Sequence, residues 1–242
     1  MNRKNLITCL ILALVTFTVF PQFAFYQYSI SADELMGKGT PQLFGEQYKL
    51  REAAHLAFKK MQAAAAKDGI SIGAVSSYRN FNHQKRIWER KFKRNKAKGL
   101  SDSINIRKII EYSTILGTSR HHWGTDIDIY QTNVKQPKQI LVPENFHGNG
   151  AYCKLKEWMD KNANTYGFYL VYTDNANRKG FKYEPWHYSY KPLSVSYLKT
   201  YRTLNISDIL QSEDLLGIDA FTKSFINQYI NQNILDINPE LL

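Results

Sequence analysis

Two short stretches hold the residues best suited to chemistry. SRHHWGTDIDIY, Ser119 to Tyr130, gathers His121, His122, Asp126 and Asp128 around Gly124, in a chain with only 6 histidines. Further on, EPWH sets Glu184 three residues before His187. A catalytic zinc centre typically takes three His or carboxylate ligands and leaves a fourth position for water. His121 and Asp128 read as the first half of such a set. His187 reads as the third ligand, with Glu184 a carboxylate able to handle the proton of an attacking water. The competing reading of the first stretch is a polar turn that runs into a strand.

These side chains meet only if the backbone brings them together. In a strand over TDIDIY the side chains alternate, so Asp126, Asp128 and Tyr130 share one face while Ile127 and Ile129 face the core. Gly124 permits the tight turn that folds a histidine back over that strand. Pro185 biases Glu184 toward an extended backbone. In a regular strand Glu184 and His187 would point to opposite faces, so a shared site requires a bend between them.

The pattern S-x-H-x(6)-D at Ser119, His121 and Asp128, followed by E-x-x-H at Glu184 and His187, resembles the signature of the VanY-type zinc D-alanyl-D-alanine carboxypeptidases, peptidase family M15. A third element agrees, since SSYRNFNHQ, Ser76 to Gln84, is similar to the family's S-x-Y-R segment with a glutamine five residues after the arginine. The resemblance spans roughly Leu35 to Tyr190. It implies one zinc ion on His121, Asp128 and His187, Glu184 as catalytic base, and a terminal D-alanine of a peptidoglycan stem peptide or precursor held by Arg79 with Ser119 and Gln84. The planar fork of an arginine suits the last task, because it binds a carboxylate through two parallel hydrogen bonds. The chain departs from the family at Asp126, where a small residue is usual; spacing favours Asp128 as the ligand. Alternatives on the same site are an L,D-carboxypeptidase, a peptidoglycan endopeptidase, or a non-catalytic zinc-containing module that binds the envelope. The H-x-H pair of lysostaphin-like endopeptidases is not supplied by HYS at His187 to Ser189.

The elements around these motifs predict an α+β fold, a single compact domain with a mainly antiparallel sheet flanked by helices. Apolar residues recur at helical spacing from about Gln47 to Lys67, and Gly69 stops the helix. ISIGAVSSY reads as a strand, NFNHQKRIWERKFKRNKAKG as a helix capped by Asn80 or Asn82. A shorter helix over INIRKIIEYST precedes the motif turn and its strand. A long loop leads to a helix around AYCKLKEWMDKNANTYG, then to a strand at GFYLVYT and an aromatic strand-like segment through FKYEPWHYSY. We divide the chain into an N-terminal export segment at 1–31, a carboxypeptidase-like domain at 32–204 and a helical C-terminal extension at 205–242.

Composition agrees with a folded, exported protein. Of 242 residues 43% are apolar and 14% aromatic, enough for one sizeable core and too many for a disordered chain. Arg3 and Lys4 precede an almost uncharged apolar run from Leu6 to Phe25, the layout of a signal peptide or N-terminal membrane anchor, after which SADELMGKGTPQLFGE reads as a linker and lead-in loop. Export leaves Cys153 as one thiol with no internal disulfide partner, because Cys9 lies in the apolar run. The formal charge of +11 favours anionic surroundings such as lipid head groups or wall polymers, and export argues against nucleic acid. The densest basic run, KRIWERKFKRNKAKGL, reads first as the solvated face of a helix. A monomer is assumed.

Overall fold

The computed structural model describes residues 30–211 and 214–242. The apolar run expected to be a signal or anchor lies outside those residues, and among the described residues no helix is long and apolar enough to cross a membrane. Within the stretch read as a linker, helix α1 (Ala32–Leu35) is capped by Ser31, whose hydroxyl accepts from the Glu34 N–H at 3.1 Å. Leu35 is fully buried and its carbonyl accepts from the Trp123 indole at 3.2 Å, which ties this segment to the motif turn.

Helix α2 (Glu52–Lys67) buries Ala54, Phe58, Met61 and Ala65, the single stripe that its spacing predicts. Strand β1 (Ile72–Ser76) follows, and then helix α3 (Phe81–Lys96), with Asn80 as the cap: its side chain accepts from the His83 N–H at 2.8 Å. Helix α3 buries Phe81, Gln84, Trp88, Phe92 and Asn95 on one face. Helix α4 (Asp102–Ile109) packs on α3, with Asn105 buried and bridging to the Phe92 carbonyl and Asn95. After the motif turn come strand β2 (Asp126–Gln131), helix α5 (Cys153–Asn162), the short strand β3 (Phe168–Leu170) and strand β4 (His187–Tyr190).

The four strands form one sheet in the order β1-β2-β4-β3, antiparallel throughout. Its register matters most for the site. Asp128 stands opposite Ser76 on β1 and opposite His187 on β4, and Asp126 stands opposite Ser189. Directly opposed residues bring their Cβ atoms to about 5 Å, so Asp128 and His187 become neighbours through backbone pairing alone. The segment before β4 is a correction to the sequence reading: FKYEPW is not strand but an irregular run ending in a turn at Pro185 and Trp186.

Two apolar clusters flank the sheet. Ile127 and Ile129 join Phe58, Tyr152, Trp186 and Tyr188 beneath α2 and α5, so the predicted core side of β2 holds. Tyr130, expected beside the aspartates on the polar face, instead packs its ring 6.2 Å from that of Tyr152 in this cluster. The other cluster gathers α3, α4 and the helices α6 (Lys191–Tyr201), α7 (Ile206–Gln211) and α8 (Lys223–Tyr229) around Trp88, Trp123 and Tyr229. The segment after Asn205 therefore belongs to a core. The Trp88 indole donates to the Leu216 carbonyl at 3.0 Å, and the Tyr229 hydroxyl accepts from the Ile115 N–H at 3.0 Å and lies 2.7 Å from the Thr118 hydroxyl, one residue before Ser119.

Candidate active site

The turn that carries His121 is a short 3-10 segment, Arg120–Trp123, closed by Gly124 with φ of 69° and ψ of 22°. That left-handed conformation suits glycine, and a side chain there would also press on Leu43 and Arg51. The turn swings His121 back over β2, as its sequence predicted. His121 Nδ1 lies 2.7 Å from the Ser77 carbonyl. A carbonyl only accepts, so Nδ1 carries the proton and Nε2 is left facing Asp128, with its Oδ2 at 3.4 Å.

His187 is oriented the other way round. Its Nε2 donates to Asp126 Oδ2 at 3.0 Å, while Nδ1 faces Glu184 Oε2 at 3.0 Å and Asp128 Oδ1 at 3.7 Å. The two imidazoles stand 4.7 Å apart. One donor atom from each of His121, Asp128 and His187 falls within 4.8 Å of the others, and all three residues are buried. Asp128 Oδ1 is shielded from solvent without a hydrogen-bond partner, a costly state unless a cation meets it. With one nitrogen of each histidine committed to a protein acceptor and the other turned inward, the donor set is that of a borderline divalent ion such as zinc.

Asp126, the departure from the family pattern, has a place of its own. It is fully buried, and its Oδ2 accepts from Arg120 Nε at 2.9 Å while Oδ1 accepts from the hydroxyls of Ser189 at 2.6 Å and Thr125 at 2.8 Å. Arg120 also donates to Ser189 at 2.8 Å and stacks 4.6 Å above the Trp123 ring. Burial alone would raise the pKa of Asp126, but Arg120 and His187 outweigh it and hold the carboxylate ionised far below its usual range. Burial likewise works against the charged form of His187, yet Asp128, Asp126 and Glu184 push its pKa up to about 10. Spacing alone left Arg120 and Ser189 unnoticed. The signal available was an arginine six residues before an aspartate in a strand whose both sides are covered.

Glu184 reaches the site through the bend that a site shared with His187 requires. The His187 N–H donates to the Glu184 carbonyl at 3.1 Å across the Pro185–Trp186 turn, so both side chains point the same way. Glu184 is buried, and burial raises its pKa against the opposing pull of His187. Arg79 stands at the start of α3. Its Nη1 donates to Gln84 Oε1 at 3.1 Å, Gln84 in turn donates to the Thr114 carbonyl at 2.7 Å, and the Arg79 backbone N–H donates to the His121 carbonyl at 3.1 Å. Arg79 Nε and Ser119 Oγ are both shielded and unpartnered, and both residues line the cleft that holds the metal cluster, a cavity of about 690 Å³. Thus the structure brings His121, Asp128, His187, Glu184, Arg79 and Ser119 to one cavity, with Gln84 behind Arg79. His122 turns away, its Nδ1 donating to the Arg79 carbonyl at 2.6 Å. Both tryptophans beside the motifs belong to apolar clusters, and Trp186 also lines the cleft.

Known proteins resemble this chain in sequence and in fold. The VanY family, described as D-alanyl-D-alanine carboxypeptidase, matches residues 47–193. An Enterococcus faecium D-alanyl-D-alanine carboxypeptidase is 27% identical over 168 residues, which cover 67% of this chain and 45% of that protein; the chain thus spans about half of its relative's length. Two solved structures share the fold at 24% identity. One is VanYB in complex with D-alanine-D-alanine, with a TM-score of 0.52 over 73% of this chain and 92% of that one. The other is a VanY D,D-pentapeptidase from a VanB-type vancomycin-resistance cassette in complex with Zn(II), with a TM-score of 0.50 over 70% and 88%. Motif spacing, fold and a match across more than half of the residues converge, and this chain belongs to the VanY family of D-alanyl-D-alanine carboxypeptidases.

Proposed function

We propose that the chain is a zinc-dependent D,D-carboxypeptidase that removes the C-terminal D-alanine from peptidoglycan stem peptides or their precursors, exported to the cell envelope by its N-terminal segment. The observation that carries this reading is the buried cluster of His121, Asp128 and His187, with Glu184 at hydrogen-bond distance from His187 and unpartnered donors on Arg79 and Ser119 in the same cleft. An ion held by the three ligands supplies Lewis acidity, polarising a carbonyl and making a water easier to deprotonate.

The protein groups do the rest. Arg79, kept in place by Gln84, meets the terminal carboxylate of the substrate with its fork, and Ser119 adds a hydroxyl; this restricts cleavage to the last peptide bond. Glu184, buried and so inclined to accept a proton, takes one from the attacking water and delivers it to the leaving D-alanine amine. The bend at Pro185 ties general base and ligand to one turn, so their relative position is set by backbone and not by two independent loops.

The test is release of D-alanine from a pentapeptide ending in D-Ala-D-Ala, with and without a chelator, beside the Glu184→Ala variant. Chelator-sensitive release, lost by a factor of at least about 10³ in a variant that still binds one zinc, is the expected result. Undiminished turnover in Glu184→Ala would reject the assignment of the base. Loss of both metal and turnover is expected for His121→Ala and Asp128→Ala.

A further inference from the structure

The catalytic groups occupy only the buried end of the cleft. Toward its mouth the lining continues along one face of α3, through His83 and Ile87 to Arg90 and Lys91, a spacing of four, three and one residues that keeps all of them on the same side of the helix. The loop Leu141–Glu144 and Trp186 line the remainder. The charges do not balance. Apart from Asp128 and Glu184, the lining carries one carboxylate, Glu144, against Arg79, Arg90, Lys91 and Arg120, and of these cations Arg120 is already paired with Asp126.

On the outer turns of α3, Lys93 pairs with Glu89 at 3.8 Å and Lys96 with Asp102 at 2.7 Å. Arg90 and Lys91 form no such ion pair among the described residues. Lys91 is half-buried and donates to the hydroxyl of Ser113, a neutral partner that leaves its charge uncompensated. Burial, and after it the neighbouring Arg94, lowers the pKa of Lys91 even with Glu184 acting to raise it, so an anion beside it would relieve an existing penalty.

We infer that Arg90 and Lys91 form a second anion subsite at the cleft mouth, which selects peptides bearing a free carboxylate on the residue that precedes the terminal D-Ala-D-Ala pair. The inference rests on the proposed carboxypeptidase reading for the direction of the substrate: its C-terminal carboxylate goes to Arg79 beside the buried ligands. The upstream chain then runs toward the open part of the cleft, whose lining includes the exposed Arg90. At about 3.3 Å per extended residue, the two D-alanines carry the chain about 7 Å from the carboxylate held at Arg79, and the side chain of the preceding residue extends that reach along the cleft that Arg90 and Lys91 also line. A lone terminal carboxylate would occupy Arg79 and leave both other cations unmatched.

The experiment compares two isosteric blocked peptides, acetyl-Glu-D-Ala-D-Ala and acetyl-Gln-D-Ala-D-Ala, by equilibrium binding to the zinc-loaded Glu184→Ala chain at low ionic strength. The expected result is about tenfold tighter binding of the Glu peptide. That ratio should fall to near one in the added double variant Arg90→Gln/Lys91→Gln and reverse with Arg90→Glu. Equal or undetectable affinity for the two peptides, or a preference that survives the double variant, overturns the inference. D-alanine release by the wild-type chain, run in parallel, reports separately on the carboxypeptidase reading, so binding without discrimination and absence of turnover are told apart.

Discussion

At the scale of single residues, the distinctive feature is Asp126, which holds His187 from behind while Asp128 meets it from the front. Carboxylates in this position orient a ligating imidazole and raise its basicity, and their loss typically weakens metal binding by about 10- to 100-fold. We expect Asp126→Asn, which keeps the shape but removes the charge, to weaken zinc affinity by about tenfold in a competition assay against a chromophoric chelator, a readout independent of turnover. An unchanged affinity would reduce Asp126 to a partner of Arg120 alone. A second prediction concerns His122, fully buried, with one nitrogen bonded to the Arg79 carbonyl and the other unpartnered. Burial lowers its pKa from 6.5 to about 3. Between these values the unfolded chain binds a proton that the folded chain refuses, so stability rises with pH: the contribution is complete above about 6.5 and is lost as pH falls toward 3. Between pH 6.5 and 5 it amounts to about 2 kcal/mol. The melting temperature of His122→Gln should therefore change less with pH over that window than that of the wild type, and parallel slopes would refute the assignment. His121, Asp128, Glu184 and His187 were legible from spacing because each motif occupies one turn or strand. Arg120, Ser189 and the Ser77 carbonyl were not, because they act through contacts between elements distant in sequence.

At the scale of elements, the site is an intersection of two strands, one tight turn and one helix start. Gly124 announced its turn in the sequence, since glycine widens the conformational range of the local backbone whatever surrounds it, whereas the bend after Glu184 followed only from the requirement that it share a site with His187. The helices announced themselves by their stripes, and Asn80 by its capping chemistry. Strand β4 was less legible: FKYEPWHYSY is aromatic and extended in character throughout, and only pairing with β2 decides that the strand begins at His187. The turn bearing His121 leans on α8. Tyr229→Phe would strip the Ile115 N–H of its acceptor and the Thr118 hydroxyl of one neighbour, at a cost of about 1–2 kcal/mol, seen as a lower denaturation midpoint with unchanged m-value. If the midpoint does not move, the contact is replaced by another and α8 has no special hold on the turn.

At the scale of the whole molecule, the segment 205–242, expected as an extension, completes the cluster around Trp88, Trp123 and Tyr229. Truncation after Leu204 would expose Trp88, Tyr201 and much of α3 and α4. The apolar burial lost should exceed the roughly 5–15 kcal/mol by which a domain is stable. The truncated chain should lack a cooperative thermal transition and be degraded rapidly in limited proteolysis; a well-folded 30–204 fragment would show that the cluster is dispensable. The sequence by itself determined the resemblance to the family, the candidate ligand and base residues, the helices and the turn at Gly124, because these depend on residue type and on separations of a few positions along one element. Only the tertiary structure decided which nitrogen of each histidine faces the ligand set, what Asp126 does, where the cations of α3 point and that the C-terminal helices close a core. Those outcomes depend on strand register and on packing between residues as distant in sequence as Trp88 and Leu216, 128 positions apart, and no local pattern encodes them.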